Sequence, residues 1–327
     1  MRLTVIVNPV AGASRQGSHL RAMLGHLRAA GMVVEVVHTG DAGQARELAA
    51  RAAGGCEAVI AVGGDGTVSE VADGLGGSGT ALVIWPTGTE NLVAKALGFR
   101  ADPLLPLVCL TRGRTMHLDL GVANGRSFLA VVGVGFDAEA VHRLARSRSG
   151  HIGHLSYTGP LWRTFWEHRF PPLSVRWDGG LGRLAQPGGA GWRGAEQSPS
   201  VEGTACWEGR GLVFIGNLAA YALGLPVVRD ARADDGLLDL LILPCRGRVR
   251  LIKHSLLTMM GGRHIEQSDV RYTRVRHVQV ESPAPVAVEV DGDPAGYLPL
   301  DISLRPAALC VRVPPAAMAG RNLFGCG

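Results

Sequence analysis

Two periodicities alternate along the first third of the chain. Apolar runs at 32–37, 58–62 and 81–85, and an opening run that ends at Asn8-Pro9, each precede a segment whose apolar positions recur at helical spacing. Segment 18–30 is the clearest of these, with Leu20, Met23, Leu24 and Leu27 on one face. Helices over 42–53, from the 63–67 turn to about 75, and from the 86–91 turn through 97 complete the set. Strands that are apolar on both faces and separated by helices predict a parallel sheet covered on both sides. Near Thr115 the pattern changes. Runs become short and alternating, with Gly, Asn and Asp between them, as in Ala123-Asn124-Gly125-Arg126, a hairpin signature. Strands are expected at 212–216, 237–243, 272–280, 286–290 and 307–313, and helical patches at 138–148 and 155–168. A long surface loop is expected over 179–210, where Gly, Pro, Ser and Gln accumulate. The fold class expected is α/β plus all-β. A parallel α/β domain spans 1–117, with 305–327 returning to it, and an antiparallel, sandwich-like β domain spans 118–304; at 327 residues two domains are the better expectation.

Chemistry enters at the carboxyl ends of the parallel strands, where such sheets bind ligands. Three turns are expected there: 8–14, with Asn8, Pro9 and Gly12; Gly63-Gly64-Asp65-Gly66-Thr67; and Pro86-Thr87-Gly88-Thr89-Glu90-Asn91. Glycines let a backbone approach a ligand, and the helix N-terminus behind such a turn presents unpaired N–H groups that suit phosphate. Asp65 is the odd member. A carboxylate beside phosphates is repulsive unless it holds a cation or takes a proton, so its presence suggests phosphoryl transfer. Plainer readings stand beside these. Asp65 can cap its own helix, Thr87 and Thr89 the next one, and Asp291-Gly292 and Asp234-Asp235-Gly236 read first as turns.

Charge and cysteines narrow the field. The net charge is +5, and the basic side is almost all arginine: only Lys95 and Lys253 are lysines, neither in a Walker A pattern. Arginine excess fits phosphate or anionic head groups, although genome composition explains it as readily. The six cysteines include no Cys-x-x-Cys pair, which indicates neither a zinc site nor a disulfide framework. No apolar run approaches bilayer-spanning length, and the opening strand is too short for a signal peptide, so a cytoplasmic protein is expected, touching a membrane at most from outside. Arg143, Arg146, Arg148, Arg163 and Arg169 interleave with Leu161, Trp162, Phe165 and Trp166. That mixture suits a lipid–water interface, or, more ordinarily, a helix packing its aromatics on its own domain. Gly133-Val134-Gly135-Phe136-Asp137-Ala138 fits a dinucleotide fingerprint but lacks the ribose-binding acid expected about twenty residues on.

Six motifs, taken in chain order, resemble the diacylglycerol kinase catalytic-domain family, whose superfamily also holds the NAD kinases. They are Asn8-Pro9 with Gly12, the 63–67 turn with Glu70-Val71, the 86–91 turn, Asp119-Leu120-Gly121 with Gly135-Phe136-Asp137, Asp234-Asp235-Gly236-Leu237-Leu238-Asp239, and Val290-Asp291-Gly292-Asp293. The resemblance implies an ATP- and Mg²⁺-dependent lipid kinase that transfers the γ-phosphoryl group to the hydroxyl of a lipid such as diacylglycerol or a sphingoid base. It implies a nucleotide cradle of Asn8, Pro9, Gly12, Gly63, Gly64, Gly66, Thr67, Thr87, Gly88, Thr89 and Asn91. Asp65 would act through Mg²⁺ or as the base; alternatively Asp291 would be the base, with Asp293 beside it. Asp235 and the carbonyl of Leu237 would hold a second, structural cation. Three positions depart from the family pattern: Ala13 or Ser14 where a cation is common, Leu92 where Asp is common, and Asp293 where Glu is usual. The first two break a charge and water–Mg²⁺ network around Asp65, which motivates a rival reading as a non-catalytic nucleotide- or lipid-binding relative. A second rival, an NAD kinase-like enzyme, leaves the Asp-Asp-Gly and Asp-Gly-Asp motifs unexplained. The implied partners are a lipid substrate, peripheral contact at the inner membrane face and a second copy in a homodimer, with no nucleic acid.

Overall fold

Chain order and spatial order differ among the N-terminal strands, and that difference brings the turns together. β1 (Arg2–Val7) lies between β2 (Val33–His38) and β3 (Ala58–Gly63), and β4 (Ala81–Pro86) pairs with β3, all parallel. The structure, a computed structural model, describes residues 1–11, 16–146, 158–178, 204–219, 221 and 224–315. β3 and β4 are buried at every position, as strands covered on both faces must be, whereas the edge strand β2 is largely half-exposed. The faces are covered by α1 (Gln16–Ala29), α2 (Gln44–Ala52), α3 (Asp65–Leu75), the short α4 (Leu92–Ala96) and α5 (Leu105–Arg112).

One strand joins the two halves. β15 (Leu300–Val313) touches β4 at Val311–Leu82 and runs antiparallel to β5 (Arg114–Ala123), which turns through Asn124-Gly125 into β6 (Arg126–Phe128). Both turn residues have positive φ, 47° and 82°, as a type I′ hairpin requires. From β15 the antiparallel part continues through β12 (His277–Glu281), β8 (Pro172–Asp178), β9 (Thr204–Gly216), β7 (Val131–Val134) and β13 (Ala287–Val290) to β14 (Asp293–Tyr297). β10 (Leu238–Pro244) pairs with β9 and with β11 (Arg271–Val275). α6 (Phe136–Arg146), α7 (Thr158–Glu167) and α8 (Arg248–Met259) flank this half. The fold class is thus a parallel α/β half with an antiparallel, sandwich-like β half. Alternation divides the core. On β9, Leu212 and Phe214 pack toward the helices while Val213 and Ile215 face the interior of the sandwich.

Several element boundaries differ from the sequence expectation. Residues 204–210 are not loop but the first half of β9, paired position by position with β8; a half-exposed strand can carry the polar composition of a loop. The remainder of the expected loop, 179–203, lies outside the described residues, as do 155–157 and Arg148. The expected strand 272–280 is two strands, broken where the Arg276 N–H leaves the ladder for the Asp178 carboxylate, at 3.0 and 3.1 Å. α5 and α8 have no counterpart in the sequence expectation.

Candidate active site

Because β1, β3 and β4 are neighbours, the turns that follow them meet at one sheet edge. The Asn8 N–H donates to the Val62 carbonyl and the Thr87 N–H to that of Gly63, each at 2.9 Å. The Asn8 side chain crosses to the second turn, where Nδ2 donates to Thr67 Oγ1 at 3.0 Å. The second and third turns touch backbone to backbone: a Cβ on Gly88 would stand 2.6 Å from Gly64 Cα. No other residue fits there. Asn91, at φ 51°, closes the third turn on itself, accepting from the Gly88 N–H at 2.9 Å and donating to its carbonyl at 2.7 Å. Pro9 and Thr89 are exposed at this edge, Thr87 is half-buried, and Gly12, Ala13 and Ser14 lie outside the described residues.

Asp65 does not cap its own helix. Gly64 is the N-cap of α3, and Asp65 Oδ1 instead accepts from the Val93 N–H of the adjacent α4 at 3.3 Å. Burial pushes the Asp65 carboxyl up to about 6; the N–H groups opening α4 oppose that rise, and the Asp291 charge adds to it. Glu70, one turn further along α3, serves the same purpose for α2, its two oxygens accepting from the Gly43 and Ala45 N–H groups at 2.8 and 3.2 Å.

The second half contributes a hairpin. Asp291 and Gly292, at φ 51° and 83°, form the two-residue turn between β13 and β14. The Asp291 side chain points inward and is 8% exposed. Its Oδ1 accepts from the Ala130 and Val131 N–H groups at 2.8 and 3.1 Å, and its Oδ2 from the Leu129 N–H at 2.9 Å and from Ser69 Oγ at 2.6 Å. All its acceptor directions are engaged, and the Ser69 bond fastens the hairpin to α3. Asp293 is the acid that faces the glycine turn. Its Oδ2 lies 3.3 Å from where a Cβ on Gly66 would sit and 3.2 Å from Arg126 Nη2. Ser69, Glu70, Arg126 and Asp293 line a cleft of about 800 Å³ between the halves. Ser69, Glu70 and Arg126 were not singled out as site residues by the motifs, since each acquires its place only through a partner distant in sequence.

Behind the hairpin two further acids are buried. Glu289 is 1% exposed, its Oε2 accepting from the Gly292 N–H at 2.7 Å, and Asp137 Oδ2 accepts from the Tyr221 hydroxyl. A Cβ on Gly133 would stand 2.6 Å from Glu289 Oε1 and 3.2 Å from Asp137 Oδ2, so the glycine of the false dinucleotide motif makes room for two carboxyls. Burial, and then the neighbouring Asp137, push Glu289 well above its ordinary range. The motif itself begins on β7, whose neighbours β9 and β13 are both antiparallel to it, which no dinucleotide-binding βαβ unit allows.

Asp235 and Leu237 sit apart from the cleft. Asp235 Oδ1 accepts from the Leu237 N–H at 3.1 Å, while its Oδ2 is buried without a hydrogen-bond partner. An orphaned carboxylate oxygen fits a cation ligand, and Arg274 Nη1, 3.8 Å away, already supplies positive charge. Among the described residues no cluster of three or more His, Cys, Asp or Glu side chains could hold a metal ion. Asp119 ties this turn to β15, its two oxygens accepting from the Gly236 and Ala307 N–H groups at 2.7 Å each.

Comparison with known proteins places this geometry. Residues 2–123 match the family model for the diacylglycerol kinase catalytic domain, and residues 130–313 that for the YegS C-terminal NAD kinase beta sandwich-like domain. A protein of Mycobacterium tuberculosis named diacylglycerol kinase is 31% identical over 320 residues, 96% of this chain and 95% of its own. One from Pseudomonas aeruginosa, named "probable lipid kinase YegS-like", is 31% identical over 307 residues, 93% of this chain and 92% of its own. A crystal structure from Bacillus anthracis str. Sterne has the same fold, with a TM-score of 0.73 at 22% identity over 97% of this chain and 98% of that one.

Proposed function

The chain belongs to the diacylglycerol kinase catalytic-domain family and is a lipid kinase, and from that premise we propose that it transfers the γ-phosphoryl group of ATP to the hydroxyl of a lipid such as diacylglycerol or a sphingoid base. The single observation that carries the reading is the approach of Asp293, from the β half, to Gly66 on the glycine turn of the α/β half. A phosphate on that turn and an acceptor hydroxyl entering the cleft would meet between them.

The residues divide the work as follows. Backbone N–H groups of the 63–67 and 86–91 turns hold the phosphates, with Asn8 fixing Thr67 and Asn91 fixing Gly88. Asp65 and Asp293 flank the transferred group. Asp293 is placed to take the acceptor proton, since an alcohol is a poor nucleophile until a carboxylate receives that proton. Arg126, paired with Asp293, keeps it aimed. Asp291 acts as a positioning residue: its four hydrogen bonds hold the hairpin that presents Asp293. Mg²⁺, when bound, would neutralise charge on the phosphates. Asp65 suits it as a partly buried carboxylate, and Asp235, whose Oδ2 lacks a hydrogen-bond donor but lies 3.8 Å from Arg274 Nη1, would be the ligand of a structural cation.

Incubation of the purified protein with labelled ATP, Mg²⁺ and parallel samples of diacylglycerol, a sphingoid base, ceramide and NAD tests the reading, with products resolved by mass. A phosphorylated lipid that disappears with Asp65→Asn and falls sharply with Asp293→Asn is expected. Nucleotide binding with no product would sink it.

A further inference from the structure

We infer that Glu289 and Asp137 form a buried pair holding one proton between them, carried on Glu289 Oε1, and that this pair positions Asp293 against the glycine turn. The inference deepens the lipid-kinase reading and rests on it for the part that Asp293 plays. Three elements bring the pair together. Glu289 of β13 pairs in register with Gly133 of β7, and Asp137 stands in the first turn of α6, the helix that follows β7. Glu289 Oε1 and Asp137 Oδ2 border the same space, 2.6 and 3.2 Å from where a Cβ on Gly133 would sit. Only a glycine leaves that space to two carboxyls.

Like charges in one buried space cannot both persist, so one of the two acids keeps its proton. Asp137 is built to carry the charge. It accepts from the Tyr221 hydroxyl, and the N-terminus of α6 favours an anion in its first turn. Glu289 is built for the neutral form. Its Oε2 accepts from the Gly292 N–H at 2.7 Å, as a carbonyl oxygen does, and among the described residues its Oε1 meets no donor. An oxygen that faces a carboxylate and receives no hydrogen is at home as a donor itself. Burial, then Asp137, and then Asp291 and Asp293 favour the proton on Glu289, against the Gly292 N–H. Other titratable groups on these elements are turned elsewhere. Glu139 meets Arg143 and His168, each at 2.7 Å, His142 Nε2 donates to the Val288 carbonyl at 2.8 Å, and Arg126 reaches Asp293 at 3.2 Å.

The hairpin carries this proton's effect to the cleft. The Gly292 bond closes the Asp291-Gly292 turn onto Glu289, and the register of β13 against β14 shifts between Ala287 and Glu289. Such an irregularity re-aims the side chains beside it. Asp293 opens β14 opposite Val290, directly after that turn. Release of the shared proton to solvent would leave two negative charges against Gly133. Relief comes from moving Glu289 outward, which draws Gly292 along and takes Asp293 away from Gly66. Glu289 and Asp137 are thus positioning residues, and turnover acquires an alkaline limit set by groups that never touch substrate.

Infrared titration of the full-length protein carrying isotope-labelled glutamate reads the proton, without nucleotide or acceptor. A protonated glutamate band is expected in the wild type at neutral pH and absent from Glu289→Gln. In Asp137→Asn the band should vanish at lower pH than in the wild type, because the charge that held the proton is gone. Once the wild type loses its band, exchange of the Gly292 N–H is expected to quicken about tenfold beyond its intrinsic change with pH. Glu289→Gln should keep that protection, since its amide donates to Asp137 and accepts from Gly292. Over the same alkaline interval kcat for lipid phosphorylation should fall about tenfold per pH unit in the wild type, with KM for ATP unchanged, and stay level in Glu289→Gln. The band and the exchange decide the matter even if no lipid is phosphorylated. A wild type with no such band at neutral pH, a band that Asp137→Asn leaves unmoved, or equal alkaline loss of protection in wild type and Glu289→Gln would overturn the inference. So would an active wild type whose Glu289→Gln variant is as slow as Glu289→Ala.

Discussion

The two edges that close on the cleft place their acids in opposite ways. On the glycine-turn edge, Asp65 is half-buried, and its carboxylate answers the first N–H groups of a neighbouring helix. On the hairpin edge, Asp291 is buried with both oxygens engaged, and Glu289 behind it is buried further still. A signature acid can therefore serve chemistry or shape, and burial together with the side-chain bond from Ser69 sets Asp291 on the side of shape. In the proposed mechanism Asp65 and Asp293 meet substrate, and Asp291 builds the platform for Asp293.

The comparison breaks most readily at Asp65. Asp65→Asn is expected to lower the rate of lipid phosphorylation by about 10³-fold while leaving the melting temperature nearly unchanged, because an amide still accepts from Val93. Asp291→Ala should do the reverse in kind. Stripping three N–H groups and Ser69 of their acceptor is expected to lower stability by about 3 kcal/mol, read from urea unfolding. If Asp291→Asn left stability intact but abolished turnover, Asp291 would belong with the chemistry and the contrast would fail.

Smaller effects sharpen it. Gly88→Ala forces the second and third turns apart, and overpacking of about 1–3 kcal/mol should appear as ATP affinity at least tenfold weaker by calorimetry. With Asp65 titrating near 6, the rate should fall about tenfold per unit as pH drops below that value, since the proton it then takes up removes the charged form. The sign for stability is opposite at Glu289. Its folded form keeps a proton that an unfolded glutamate releases above about 4.5, so this residue makes stability decline as pH rises. Glu289→Gln should remove that decline, stabilising the protein by about 1 kcal/mol at pH 8 and leaving it unchanged at pH 4.

Much of the site was legible in the residues themselves. Fully apolar strands, glycine turns behind them and the Asn124-Gly125 hairpin follow from dihedral preferences and side-chain periodicity, which act within a few residues. These determined a parallel sheet with turns at one edge and an antiparallel half after it. The tertiary structure alone decided which helix Asp65 caps, that Asp293 rather than Asp291 looks into the cleft, and that the Gly-Val-Gly stretch houses buried acids. Each of those outcomes turns on partners far away in sequence, as Ser69 and Asp291 are. Local preference carries no information about them.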